Sequence, residues 1–185
     1  RQITSRRQVV PSRQGCVGLL PCGPMLTIRE AVADDRPAIL EMNNQAVPAV
    51  NPHDVASLDA LLAIADRTWV VDDEGTLGGL LVAFAPGAGY QSKNYAWLSE
   101  RYDNFGYVDR IVVAETHRRL GLAGRLYAAF AEHASAAGRD RLLCEVNVEP
   151  PNPQSIAFHE ANGWQAVQDL EHAPGAVVRY FERLL

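Results

Sequence analysis

The chain has 185 residues, 48% of them hydrophobic and 21% charged, enough for one domain with a continuous core and too few for two. The formal net charge of -5 hides an asymmetry, because residues 1–24 carry Arg1, Arg6, Arg7 and Arg13 and no acid, while the rest holds 13 basic and 22 acidic residues, a balance of -9. So acidic a body argues against broad nucleic-acid binding, which needs many cations over phosphates, and suits a cationic small molecule.

Residues 1–24 read RQITSRRQVVPSRQGCVGLLPCGP. After the arginine pair come Pro11, Arg13 and Pro21, so the uninterrupted apolar run of an export signal is missing; the arginine-rich, acid-free composition also admits an organelle transit peptide. The preferred reading is an extension outside the fold, with the domain occupying residues 25–185. Cys16, Cys22 and Cys144 are odd in number and match no zinc-ligand spacing, so the expectation is no metal, a reduced thiol at Cys144, no membrane and a cytoplasmic location.

From Met25 onward strand and helix patterns alternate, which points to an α/β or α+β domain. MLTIREA reads as a first strand, and DDRPAILEMNNQAVPAV and DVASLDALLAIA as helical segments starting near Asp34–Asp35 and Asp54. TWVVDD and GGLLVAFAP, joined by Asp73 to Gly78, form a hairpin. Gly87–Gly106 then breaks the rhythm with Tyr90, Tyr95, Trp97, Tyr102 and Phe105; such an insertion either lines a binding surface or packs as a lid on the core. Tyr90, Tyr95 and Trp97, with Tyr107 just beyond, are the candidate substrate contacts.

YVDRIVVA is a strand, and an apolar-striped helix runs from Leu122 to Ala137, ended by Gly138. RLLCEVNV is the next strand. Asn152 caps a short helix with Pro153 at its first position, Asn162-Gly163 stops it, and AVVRYFERLL is a final strand with Val177, Arg179 and Phe181 on one face.

Between strand and helix lies HRRLGLAG, His117 to Gly124. A helix N-terminus leaves N–H groups unpartnered and carries about half a positive charge, so it attracts anions, phosphates above all. Gly121, Ala123 and Gly124 keep the turn open, and Arg118, Arg119 and Arg125 add planar donor forks suited to phosphate oxygens. His117 reads as a solvated surface residue. The stretch completes neither the phosphate loop of nucleotide hydrolases nor the glycine fingerprint of dinucleotide binders. A KH-type loop that clamps an RNA backbone also carries G-x-x-G, and a glycine-softened turn with solvated arginines remains the plainest alternative.

Two separated motifs resemble the GNAT superfamily of acetyl-CoA-dependent N-acetyltransferases. Arg118-Arg119-Leu120-Gly121-Leu122-Ala123 is similar to the family's [QR]-x-x-G-x-[GA] turn, and Asn152, Ser155, Phe158 and Gly163-Trp164 are similar to its N-x-x-[AS]-x-x-[LF]-Y-x-x-x-G-[FW] motif. The resemblance implies a mixed, twisted, mostly antiparallel sheet of about six to seven strands flanked by about four helices, with YVDRIVVA and RLLCEVNV splayed apart around the pantetheine arm. It places coenzyme A against Ile111, Val112 and Val113 of the strand, Arg118 to Gly124 of the turn, and Asn152, Ser155 and Phe158 of the second motif. The KH alternative weakens, since that module needs a helix before its G-x-x-G.

The implied reaction is acetyl transfer from acetyl-CoA to a primary amine by direct attack in a ternary complex. The expected acceptor is a small cationic amine, amino acid or aminosugar, with a protein N-terminus or lysine as the alternative; the oligomeric state is left open, a homodimer being one option. A coenzyme A-binding sensor without turnover is the rival of another class. His159 stands where the family usually carries a tyrosine that protonates the departing thiolate, and an imidazole can do that chemistry near neutrality. An amine of pKa near 10 needs a base. Glu145 resembles a glutamate at the matching strand position of bacterial ribosomal-protein N-terminal acetyltransferases, although the following loop is longer here. Asp109, expected to share a strand face with Tyr107 and Ile111, is the other candidate base, its plain reading being an ion pair or hydrogen bond to a neighbouring element.

Overall fold

The computed structural model describes residues 26–185, so the extension expected at residues 1–24 lies outside the described residues. The chain builds β1 (Thr27–Glu30), α1 (Arg36–Gln45), α2 (Val55–Ile64), β2 (Arg67–Asp73), β3 (Thr76–Phe84), α3 (Lys93–Ser99), β4 (Gly106–Val113), α4 (Leu122–Ala136), β5 (Arg141–Glu149), α5 (Pro153–Ala161), β6 (Gln165–Ala173) and β7 (Ala176–Leu184). The strands form one sheet in the order β1-β2-β3-β4-β5-β7-β6, antiparallel throughout except between β4 and β5. Among the described residues no helix is long and apolar enough to cross a membrane.

Helices cover both faces. Ile39 and Met42 of α1, Leu58 and Leu61 of α2, and Tyr95 and Leu98 of α3 pack on Leu80, Val82 and Phe84 of β3, while Leu126, Tyr127 and Phe130 of α4 pack on Leu81 and Ala83, which point the other way. A central strand buried on both faces explains the unbroken apolar run of β3. At Gly106 a Cβ would stand 2.6 Å from the Phe130 ring, so the start of β4 must be glycine for α4 to pack there.

Local chemistry sets the ends. Asp54 accepts from the Ser57 amide at 2.7 Å and the Ser57 hydroxyl accepts from the Asp54 amide, a reciprocal cap on α2. Glu74 and Gly75 both have positive φ (50° and 92°), a two-residue hairpin turn tighter than the Asp73–Gly78 connection expected, with strand resuming at Thr76. Two elements escaped the sequence reading. The seven residues of α3 are too few to show a period, and β6 is an edge strand with two register shifts that break its alternation.

Candidate active site

The pairing of β4 with β5 lasts for three residue pairs, Gly106 with Leu142, Tyr107 with Leu143 and Val108 with Cys144. Beyond them the strands part around a cleft of about 870 Å³ that reaches the turn before α4 at one end and the α1–α2 connection at the other. At the same place β4 changes phase: Val82 faces Arg110 and Ala83 faces Val108, leaving Asp109 as an extra residue. This bulge overturns the expected alternation. Tyr107 packs in the α1–α3 layer and Ile111 against the α4 layer, so the two lie on opposite faces and Asp109 shares a face with neither by simple period.

Freed by the bulge, Asp109 and Arg110 pair directly, Arg110 Nε donating to Asp109 Oδ2 at 2.6 Å. The Tyr90 hydroxyl donates to Oδ1 at 2.5 Å, and Arg110 Nη1 donates to Asn43 Oδ1 at 2.7 Å. The adjacent guanidinium makes Asp109 an ion-paired residue of the cleft wall. Glu145, the first β5 residue past the junction, is differently placed. Its carboxylate accepts from the Tyr107 hydroxyl at 3.0 and 2.9 Å and from Asn94 Nδ2 at 2.7 Å. Burial, reinforced by the negative charge of Asp109, pushes its pKa up to about 8, against the opposing pull of these hydrogen bonds.

His159 is 2% exposed. Nδ1 lies 2.7 Å from the Ser155 carbonyl, which can only accept, so the ring proton sits there; Nε2 accepts from the Tyr127 hydroxyl at 2.8 Å. Burial lowers the imidazole's pKa and keeps it neutral, so the proton shared between the two side chains is that of Tyr127, not that of the imidazolium expected from sequence.

At the far end a short 3₁₀ turn (Glu115–His117) leads into Arg118 in extended geometry, Arg119 at φ 66° and Gly121 at φ 72°, after which α4 starts. Arg119 is one of two non-glycine residues held left-handed among the described residues. His117 is a fixed part of it, its ring seated on Gly78, where a Cβ would be 2.7 Å away, and its Nε2 lying 3.1 Å from Asp73 Oδ2; it is not the solvated residue expected. Arg125 turns away to donate to the Leu26 carbonyl at 2.9 Å.

Most of the residues expected to hold coenzyme do border the cleft. Ile111, Val112 and Val113 line one wall, Arg118, Arg119, Gly121, Leu122 and Ala123 the turn, and Asn152, Ser155 and Phe158 the α5 side. Leu120, which is exposed, and Gly124 are not among the lining residues. Of the aromatic candidates, Tyr90 lines the cleft. Tyr95 instead holds the insertion together, donating to the Ala85 carbonyl at 2.6 Å, and Trp97 stacks on Tyr180 at 4.2 Å between ring centres. Tyr107 is fully buried and reaches the site only through its hydroxyl on Glu145.

The sequence reading missed Asn94, Tyr127, Arg110 and the α1–α2 connection Gln45–Asn51, all of which border the cleft. Arg110 gave a signal, a cation inside an otherwise apolar strand; Tyr127 gave none, since it sits in an apolar helical stripe. What the residues can hold is a long anionic ligand. The turn offers amides and two arginines, and the parted strands offer the unpaired edge of β4, a fit for a pyrophosphate followed by an amide-bearing arm.

A family model for the acetyltransferase (GNAT) family matches residues 36–164. No curated protein sequence is significantly similar. Among solved structures, the ribosomal-protein-alanine N-acetyltransferase from Brucella melitensis is 20% identical, with a TM-score of 0.67 over 86% of this chain and 100% of the other. An N-acetyltransferase from Staphylococcus aureus Mu50 is also 20% identical, with a TM-score of 0.65 over 85% and 96%. Salmonella typhimurium yncA, solved with its cofactor acetyl-CoA, is 19% identical, with a TM-score of 0.63 over 86% and 94%.

Proposed function

The chain belongs to the acetyltransferase (GNAT) family and is an acyltransferase that uses acetyl-CoA, and from this premise we propose that it acetylates a primary amine with Glu145 as the base. The observation that carries the reading is the placement of Glu145, a carboxylate at the point where β4 and β5 part, with a pKa pushed up to about 8. A base in that range accepts a proton from an ammonium of pKa near 10 far more readily than an ordinary carboxylate.

Acetyl-CoA supplies a thioester carbonyl, at which a C–N bond forms while the C–S bond breaks. The amides of the Arg118–Ala123 turn would take the pyrophosphate and the open edge of β4 the pantetheine amides. Glu145 holds the ammonium by charge, removes its proton and leaves the nitrogen lone pair free to attack. The Tyr127–His159 pair borders the same cleft, but its proton is held between the two side chains and burial pushes the Tyr127 hydroxyl well up, so the departing thiolate takes its proton from water. Transfer is direct: Cys144, the one cysteine among the described residues, is buried and its thiol pushed well up, so it stays protonated and carries no acyl group.

The acceptor is a primary amine: a small cationic amine, amino acid or aminosugar, with a protein N-terminus or lysine as the alternative. The guanidinium of Arg110, which lines the acceptor end, is engaged through Nε by Asp109 and through Nη1 by Asn43. Release of free thiol from acetyl-CoA over a panel of amines tests the reading. Glu145→Gln is expected to lower turnover about 100-fold to 10,000-fold and to remove the limb of the kcat/KM profile that rises toward pH 8, with coenzyme affinity kept. Unchanged turnover in Glu145→Gln would reject the base.

A further inference from the structure

Glu145 does not stand alone: the hydrogen bonds behind it continue along the same face of the sheet to the edge strand β6. Asn94 Nδ2 donates to Glu145 Oε1 at 2.7 Å, the Tyr180 hydroxyl donates to Asn94 Oδ1 at 3.0 Å, and His172 Nε2 lies 2.9 Å from the Tyr180 oxygen. In the ionised state of Glu145, the one that acts as a base, the direction of every link follows. The ionised carboxylate only accepts, so the amide must present its NH₂ to Glu145 and its oxygen to Tyr180. Tyr180 has one proton, and it goes to that oxygen. His172 can then only donate, through Nε2–H. Three donors point the same way, each polarising the next toward Glu145.

The scaffold for this chain is α3. Asn94 and Trp97 are three residues apart and so share a helix face. Asn94 takes the Tyr180 hydroxyl while Trp97 stacks flat on the Tyr180 ring, the planes 11° apart, and the Arg101 guanidinium lies 3.8 Å from the centre of the Trp97 ring. One helix therefore grips Tyr180 by both ring and hydroxyl. Oε1 of Glu145 is loaded by Asn94 as well as Tyr107, which leaves Oε2 the freer oxygen for an incoming ammonium.

We infer that Asn94, Tyr180 and His172 are positioning residues that fix the orientation of the Glu145 carboxylate and favour its ionised form; the inference rests on the reading of Glu145 as the base. The other groups that act on Glu145 are the Asp109 carboxylate and Tyr107 hydroxyl of β4. Those that feel its charge in turn are the hydroxyls of Tyr90 and Tyr127 and the thiol of Cys144. None of these changes in the variants below.

The test follows the proton on Glu145 directly. Carbon-13 NMR titration of the full chain labelled at glutamate side-chain carboxyls reports its midpoint, with Glu145→Gln identifying the resonance. Asn94→Leu and Tyr180→Phe are each expected to raise the midpoint by about one pH unit, a tenfold gain in proton affinity, as a hydrogen bond to the charged form is lost or slackened. Asn94→Asp, which keeps the volume and adds a like charge, should raise it further. His172→Phe should raise it less, and His172→Gln, which keeps a donor, should restore it. In turnover, Asn94→Leu should lower kcat at neutral pH, recover at higher pH, and leave the acetyl-CoA KM unchanged. Midpoints unmoved in folded Asn94→Leu and Tyr180→Phe proteins would overturn the inference, as would a kcat loss that high pH does not repair. Shifted midpoints with full turnover in Glu145→Gln would instead fault the assignment of the base and leave the chain standing.

Discussion

A carboxyl group that titrates at about 8 in the folded chain and in the ordinary glutamate range when unfolded makes stability depend on pH. Between those two values the native state binds more protons than the unfolded one, so stability falls as pH rises, by at most about 1.4 kcal/mol per pH unit, and flattens above 8. Glu145→Gln should remove that slope, which denaturant titrations at several pH values from 5 to 9 would show as a widening advantage of the variant. The sequence displayed Glu145 and Asp109 alike, as acids in apolar strands. It could not rank them, because what separates them is the bulge that gives Asp109 the neighbouring guanidinium of Arg110, while Glu145 has no cationic partner among the described residues. His159 borders the cleft, but its neutral state was not legible, since that comes from burial in the folded chain.

At the scale of elements, the turn into α4 owes its shape to two left-handed residues, and Gly121 is the one that needs no Cβ. A Cβ there would meet nothing within 4 Å, so a substitution costs backbone strain of about 1–2 kcal/mol and no clash. Gly121→Asp should therefore fold, melt a few degrees lower, and lose most of its coenzyme A affinity by calorimetry because a negative charge stands where the pyrophosphate would bind. Unchanged affinity would show that the turn is not the phosphate site. The elements readable in the sequence are those whose signals are local: Asn152 and Pro153 announce α5, Gly138 ends α4, and Asp54 starts α2. The elements that were not readable, α3 and β6, take their conformation from partners. Trp97 of α3 lies on Tyr180 of β7, and β6 is held along one side by β7 with Asp169 paired to Arg179 at 2.7 Å.

Across the whole molecule the sheet is two blocks, β1–β4 and β5–β7–β6, joined by three residue pairs and by the helices that straddle them. Past that junction the middle of the sheet has two free borders, a situation most folds reserve for their outermost strands. Backbone amides along Arg110–Val113 should accordingly fall into two alternating populations: those aimed at β3 are locked, and those aimed at the gap are open to water. Hydrogen-exchange NMR on the ligand-free protein is expected to show fast and slow positions in turn, and acetyl-CoA should slow only the fast set; uniform protection without ligand would mean the gap is closed. Among the described residues no strand pairs with those inner borders, so a cosubstrate lying along them would act as the missing strand and its binding would stiffen the centre of the sheet.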